Sequence, residues 1–374
     1  RAMMFTYPVD EEILLELQAP HQAAEQYQLA EDSREFLAPW MNWMRWVHSE
    51  ANMRQALSYP LRAMANGETW GWTIRYRGAT AGRILLSRDS ENATGEVGYW
   101  LGANFTGYGI MTRAAQAVLD WGFMELGLNR IELHIEADNL ASRAVAERLG
   151  AVLECTLREE TKRESGYGDL CVYGLLAQEW QRHSHPKFDH QLGNGLCLRL
   201  QQLHDAEAMF SLLHHNAAHF SRSIARLSPS YTLQDERDFT RTMLQSYADG
   251  RAIFMGIWQD QRLIGSLTVL FNSQNFHGRM EYALDENVSA QEVILPAIQA
   301  VTRHCFQTLK LNRCWLRFPA DDAEQVQIAE EAGFQREALL REWVAIQGQR
   351  VDMVVYGLVR GTENKRAQHA APLS

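Results

Sequence analysis

The sequence predicts an α+β chain of two tandem domains, and three observations lead there. The chain repeats itself: Gly150 matches Gly333, an offset of 183, and the same offset relates Gly82 to Gly265, Tyr99 to Tyr282 and Asn129-Arg130 to Asn312-Arg313. It also relates Glu154 to Glu337, Arg158-Glu159 to Arg341-Glu342, Asp169 to Asp352 and Tyr173-Gly174-Leu175 to Tyr356-Gly357-Leu358. Matches at one long, ungapped offset mean two copies of one domain rather than an array of small units. Within a copy, short period-2 strands alternate with stretches of helical rhythm. Finally, a glycine-rich turn, Phe105-Thr106-Gly107-Tyr108-Gly109-Ile110-Met111-Thr112, joins the strand Glu96–Gly102 to a helix over Thr112–Leu126. Such a turn offers backbone N–H groups at the positive end of a helix, an anion site suited to phosphate or pyrophosphate. A tight turn that needs glycine for its backbone alone is spelled with the same letters.

At 374 residues each copy is long enough for its own core. The expected division is 1–182, a linker at 183–193, and 194–374. A hydrophobic content of 46% with 22% charged residues describes an ordinary globular protein. No apolar run is long enough to span a bilayer and no signal-peptide pattern opens the chain, so a cytoplasmic protein is expected. The net charge of −10 argues against direct nucleic-acid binding and against an anionic membrane surface. Five scattered cysteines without a CxxC suggest neither a disulfide framework nor a zinc site, and no metal is expected.

In chain order, Glu11–Gln18 alternates as a first strand, and Ala23–Phe36 reads as helix. The stretch Leu37–Trp46 is dense in aromatics; Trp40 and Trp43 either pack in a helix–loop–helix or wall a substrate pocket. Thr69–Tyr76 and Ala81–Arg88 form a hairpin around Arg77-Gly78-Ala79-Thr80. After the glycine turn and its helix, Arg130–Ala137 alternates, with Glu132, His134 and Glu136 on one face. Asp138-Asn139-Leu140-Ala141-Ser142 opens a short helix ending at Leu149-Gly150, where Asn139 or Ser142 is also a natural helix cap. Strands Val152–Arg158 and Leu170–Ala177 complete the copy. The histidine-rich stretch Gln181–Gly193 reads as a solvated connector.

This order of elements, with Glu96-Val97-Gly98-Tyr99-Trp100-Leu101, Gly107-Tyr108-Gly109-Ile110-Met111-Thr112, Asp138–Ser142, Leu149-Gly150 and Asp169–Leu175, resembles the GNAT acetyltransferase superfamily, in particular its RimJ/RimL-like group. The resemblance implies two GNAT-like domains, each a mixed, mostly antiparallel central sheet flanked by helices. It implies acetyl-coenzyme A as donor and a primary amine as acceptor: a ribosomal or other protein N-terminus, or alternatively an antibiotic, polyamine or amino-acid derivative. The donor would lie along Trp100, Leu101, Gly102, Thr106, Gly107, Tyr108, Gly109, Ile110, Met111 and Thr112, with Asn139 and Ser142 near its thiol end. Glu96 is the candidate base, with Glu159, Glu160 and His134 as rivals. Ser142 is the candidate acid, Asn139 orients the donor, and Trp40, Trp43 and Glu160 are candidates for the acceptor side. The family pattern places Gln or Arg where this chain has Thr106, a hydroxyl that brings one hydrogen bond and no charge.

In the second copy Thr106–Met111 falls on Ser289-Ala290-Gln291-Glu292-Val293-Ile294, Asn139 on Asp322 and Ser142 on Gln325. Both glycines are gone, and Glu292 would oppose a pyrophosphate. The second copy is therefore expected to be non-catalytic, completing a monomeric pseudo-dimer or contributing to a homodimer. A binding or regulatory module that senses acyl-coenzyme A without turnover is the reading from a different class.

Overall fold

A computed structural model describes residues 3–163, 166–220, 227–228, 230–346 and 349–361. The chain divides into two compact units, Phe5–Phe188 and, with the N-terminal residues through Met4, Asp189 onward.

The first unit runs β1 (Thr6–Pro8), β2 (Ile13–Leu17), α1 (Ala23–Asp32), α2 (Arg34–Leu37), α3 (Glu50–Ala65), β3 (Thr69–Tyr76), β4 (Ala79–Asp89), β5 (Thr94–Leu101), α4 (Ile110–Met124), β6 (Arg130–Glu136), α5 (Leu140–Arg148), β7 (Val152–Arg163) and β8 (Gly166–Leu176). Its sheet has the order β1-β2-β3-β4-β5-β6-β8-β7. Every neighbouring pair is antiparallel except β5–β6, which is parallel because α4 crosses between them. Arg77 and Gly78 both take positive φ, the geometry a two-residue hairpin turn requires.

The sheet has two faces with different cover. Trp70 and Trp72 meet Trp121 of α4 edge-on at 5.2 and 5.1 Å. On the opposite face Thr73 is bonded by Gln26 of α1, and Trp100 joins a buried cluster with Ala23, Ala30, Leu37, Met53 and Leu57 from α1–α3. Cross-strand register puts Thr73, Arg83 and Trp100 on one rung of the α1/α3 face, and Trp72, Ile84 and Tyr99 on one rung of the α4 face.

The second unit runs β9 (Asp189–Gly193), β10 (Leu196–Leu200), α6 (Ala206–His215), α7 (Ala217–Phe220), α8 (Leu233–Ala248), β11 (Ala252–Gln259), β12 (Arg262–Asn272), β13 (His277–Leu284), α9 (Ala290–Gln307), β14 (Arg313–Pro319), α10 (Ala323–Glu331), β15 (Gln335–Ile346) and β16 (Gln349–Val359). Its sheet order is β9-β10-β11-β12-β13-β14-β16-β15, with β13–β14 parallel. Adding 183 to the bounds of α1, α2, α3, α5 and β2–β8 reproduces their counterparts residue for residue. The helix after the third hairpin strand differs: α4 begins at 110, whereas α9 begins at 290, three residues earlier in the repeat.

The repeated letters have physical causes. Arg130 forks onto Glu154, and Arg313 onto Glu337, directly above Gly174 and Gly357. A Cβ at Gly174 would lie 2.8 Å from Arg130 Nη1 and closer still to the Glu154 carboxylate, so the pair excludes any side chain there. Glu159 and Glu342 are bulge residues with φ of 53° and 49°, and the carboxylates of Asp169 and Asp352 accept their amides.

In the stretch 183–193, expected as a solvated connector, His183, His185 and Lys187 are exposed while the start of the segment is anchored to the first unit. The buried carboxylate of Asp120 accepts the amides of His183 and Ser184, the Ser184 hydroxyl and the Trp180 indole N–H. Phe188 packs on Trp72 at 5.1 Å, and Asp189–Gly193 is a strand of the second unit. A buried carboxylate needs such donors, which is what draws this polar stretch onto the domain.

Candidate functional site

The site is built where two parallel strands part. β5 pairs β6 only through Thr94–Glu96 against Arg130–Glu132. Beyond that rung β5 continues against β4 as far as Leu101, while β6 continues against β8 as far as Glu136. The Gly102 amide donates to Ala81 O on the β4 side. Strand alternation then turns the backbone groups of Val97, Tyr99 and Leu101 toward the side that β6 has left. An extended ligand carrying amides can pair there as an added strand.

The glycine turn stands at the end of this opening. Gly107 and Gly109 have φ of 85° and 68°, and a Cβ at either would meet nothing within 4 Å. Backbone conformation, not room, demands glycine there, and the space outside the turn is open. Gly109 caps α4, whose first-turn amides have no partner within the helix. Ile110 and Met111 bury their side chains in the core, so only their N–H groups serve the turn. Gly102 has its own reason: a Cβ would strike Leu29, and next to it the Ser33 hydroxyl accepts the Ala103 amide at 3.0 Å.

The Thr106 hydroxyl donates to Ala103 O at 2.9 Å and closes the preceding turn. Two cationic residues that the sequence reading passed over stand near the turn. Arg113 donates to Tyr108 O at 3.2 Å, but it is paired with both Asp10 at 2.7 Å and Glu12 at 3.3 Å, so its charge is already balanced. Arg148 reaches from the end of α5 to Thr112 Oγ1 at 3.3 Å. The signal for Arg148 was the repeat itself, which places Glu331 at its counterpart.

At the middle of the opening, Ser142 Oγ donates to Tyr99 Oη at 2.9 Å, and Tyr99 Oη donates to Ser142 O at 3.3 Å. Burial pushes the Tyr99 phenol up to about 12, against the opposing pull of Ser142 and Arg148. Asn139 caps α5, its Oδ1 accepting the Ser142 amide at 3.1 Å. That bond fixes the start of α5 and holds Ser142 in place.

On the α1/α3 face at the same opening, Glu96 is exposed at the last shared rung. His134 bridges Glu132 at 2.8 Å and stands 3.8 Å from Glu96. Burial of Glu132 would raise its carboxyl, but hydrogen bonds from Arg130 and His134 hold it below the ordinary value. His134 thus shares the face of Glu96. Glu159 and Glu160 lie farther off: they follow Leu157, which registers with Leu170 and hence with Glu136, four residues beyond the Glu132 rung or about 13 Å along the strands. Trp43 packs on Trp100 at 5.6 Å, so its ring belongs to the helix–sheet core, and the backbone groups of Trp100 turn toward β4 rather than toward the opening. Trp40 is half-buried in the turn after α2.

The second unit keeps the parting of β13 and β14, whose pairing ends at Met280–Leu316. It has no glycine turn. Ser289 caps α9 and accepts the Glu292 amide, so an extra helical turn fills the loop's place. Gln325 bonds Asp322 at 2.7 Å, and burial, with Asp322 and Glu324 near, pushes up the Tyr282 hydroxyl, which has no hydrogen-bond partner among the described residues.

Comparison with known proteins gives a consistent result. The acetyltransferase (GNAT) domain family matches twice, at residues 14–152 and 195–335. The "Putative ribosomal N-acetyltransferase YdaF" of Bacillus subtilis (strain 168) is 32% identical over 182 residues, which is 48% of this chain and 98% of that protein. The "Ribosomal-protein-serine acetyltransferase" of Escherichia coli (strain K12) is 28% identical, over 46% of this chain and 98% of that protein. Among solved structures, a RimL ribosomal L7/L12 alpha-N-protein acetyltransferase in complex with coenzyme A aligns over 46% of this chain and 99% of its own, with 23% identity and a TM-score of 0.45. The chain belongs to the GNAT acetyltransferase family, as two consecutive copies of its domain.

Proposed function

We propose that the first copy transfers the acetyl group of acetyl-coenzyme A to the α-amine of a protein N-terminus, and that the second copy carries no donor site. The observation that carries this reading is the difference between α4 and α9: one repeat interrupts the helix with two positive-φ glycines, and the other fills the same place with a capped helical turn. The names borne by the relatives favour a protein amine over a small-molecule one.

The donor supplies an activated acyl thioester. The glycine turn, the first amides of α4 and the charge of Arg148 receive its pyrophosphate. Val97, Tyr99 and Leu101 fix its extended arm by strand-like hydrogen bonds. Glu96, assisted by His134, takes a proton from the incoming ammonium so that a neutral amine attacks. The Tyr99–Ser142 pair gives a proton to the departing sulfur; a phenol held near 12 stays protonated through neutral pH and is the stronger acid of the two. Isothermal calorimetry with acetyl-coenzyme A, joined to thiol release with a panel of N-terminal peptides and small amines, tests the reading. One donor site per chain and thiol release with peptides are expected; no donor binding, or turnover confined to small amines, refutes it.

A further inference from the structure

The rung Arg83–Trp100 on the α1/α3 face holds a feature that neither the fold nor the transfer chemistry requires. Arg83 is 8% exposed, yet its Nε and Nη1 have no hydrogen-bond partner among the described residues, and neither does the buried indole Nε1 of Trp100 directly across from it. Burial alone pushes the guanidinium down to about 10, with no carboxylate acting on it. The contrast with Arg75 in the neighbouring strand is sharp: that equally buried guanidinium is met by Glu16, Glu25 and Thr80. A buried cation with idle donors is a strong site for an anion, since the desolvation has already been incurred. The framework does not need the pair, because the second copy places Ser266 and Ala283 at the two positions.

Its placement says which anion. Two residues along β5 from Trp100, Gly98 is exposed, with nothing within 4 Å of where a Cβ would be, and Leu85 across from it is half-buried. This open patch lies between Glu96 at one end and the Arg83–Trp100 rung at the other, on the face away from Tyr99 and Ser142. One residue pair of strand rise separates Gly98 from the rung, roughly 7 Å. Resting on the acetyl-transfer reading of the site, we propose that Arg83 and Trp100 form an acceptor subsite for a carboxylate carried close to the reacting amine, so that the substrate is an N-terminus with an acidic residue at its start. The charged fork of Arg83 and the indole N–H of Trp100 bond the carboxylate while the amine lies over Gly98 beside Glu96.

The test compares the full-length protein with Arg83→Met, of similar length and no charge, and with Trp100→Phe. Thiol release is measured with peptides beginning Ser-Asp and Ser-Asn. Wild type is expected to favour the acidic peptide at least tenfold in kcat/KM, and Arg83→Met to bring that ratio close to one. Melting curves with sodium succinate, against succinamide as neutral control, read the subsite without turnover. Succinate is expected to raise the melting temperature of wild type and to do so less for both variants. Equal preference in wild type, a ratio unchanged by Arg83→Met, or a succinate effect equal in wild type and Arg83→Met overturns the subsite. If thiol is released with neutral peptides but without acidic preference, the subsite fails and the acetyl-transfer reading stands. If no peptide is turned over, the transfer reading fails, and the succinate curves still decide whether Arg83 binds a carboxylate.

Discussion

Replacing Gly109 by Glu copies into the first repeat the residue that the second carries at Glu292. Two costs can be separated, because Gly109→Ala incurs only the first. The αL backbone at φ 68° costs a non-glycine residue about 1–2 kcal/mol, and open space around the missing Cβ means no clash is added. If the turn relaxes to escape that strain, donor affinity falls by no more than the same amount, roughly tenfold. Glu adds charge. At ~6 Å and an effective dielectric of ~20, each unit charge of a pyrophosphate is opposed by about 3 kcal/mol. With two such charges and screening by salt, about 3 kcal/mol of net repulsion remains. Gly109→Glu is therefore expected to bind acetyl-coenzyme A on the order of 10³-fold more weakly than wild type, and Gly109→Ala about tenfold. Calorimetric titration reads both, with melting curves to confirm folding. If the Glu variant binds within a few-fold of the Ala variant, the pyrophosphate does not lie against this turn and the site has been misread.

Other expectations follow from the same geometry. Tyr99→Phe removes the phenol beside Ser142 and should lower kcat by about 10²-fold with little change in donor affinity, read by stopped thiol-release assays; because Tyr99 titrates only near 12, wild type should show no loss of rate from this group up to pH 10. Glu96→Gln should reduce kcat/KM by about 10²-fold in thiol-release assays, whereas Glu160→Gln should leave it within a few-fold of wild type. Glu16 is buried against Arg75; burial would raise its carboxyl, but His21 and Arg75 hold it below the ordinary value. Its contribution to stability is thus present above the unfolded carboxylate range and is lost as pH falls through the lower folded value. Glu16→Gln should destabilise by about 3 kcal/mol at pH 7 in urea unfolding, and the gap to wild type should narrow toward pH 3. Gly174→Ala should force the Arg130–Glu154 pair aside and cost about 1–3 kcal/mol, seen as a lower melting temperature.

The repeat, the strands and the glycine turn were legible because they are local: alternation, helical rhythm and punctuation by glycine act within a few residues, and a 183-residue offset is visible in the letters themselves. The loss of the turn in the second copy was equally legible, since Glu292 replaces Gly109 in the same string. Contacts across the sheet were not. That Ser142 meets Tyr99, that Arg148 returns to Thr112 and that Thr106 spends its hydroxyl on Ala103 depend on where β5 and β6 part and on how α5 docks. The face of a strand residue is set by register, and register by partners distant in sequence, so the sequence could prefer Glu96 over Glu159, Glu160 and His134 but not say which of them stand together. The same register put Arg83 opposite Trp100, with no hydrogen-bond partner for its Nε or Nη1 among the described residues, which no pattern of neighbouring letters records. Sequence alone determined that two copies of one α+β domain exist and that only one keeps the glycine turn; tertiary structure decided which polar groups face each other, because burial and cross-strand pairing, not spacing along the chain, assign a side chain its partner.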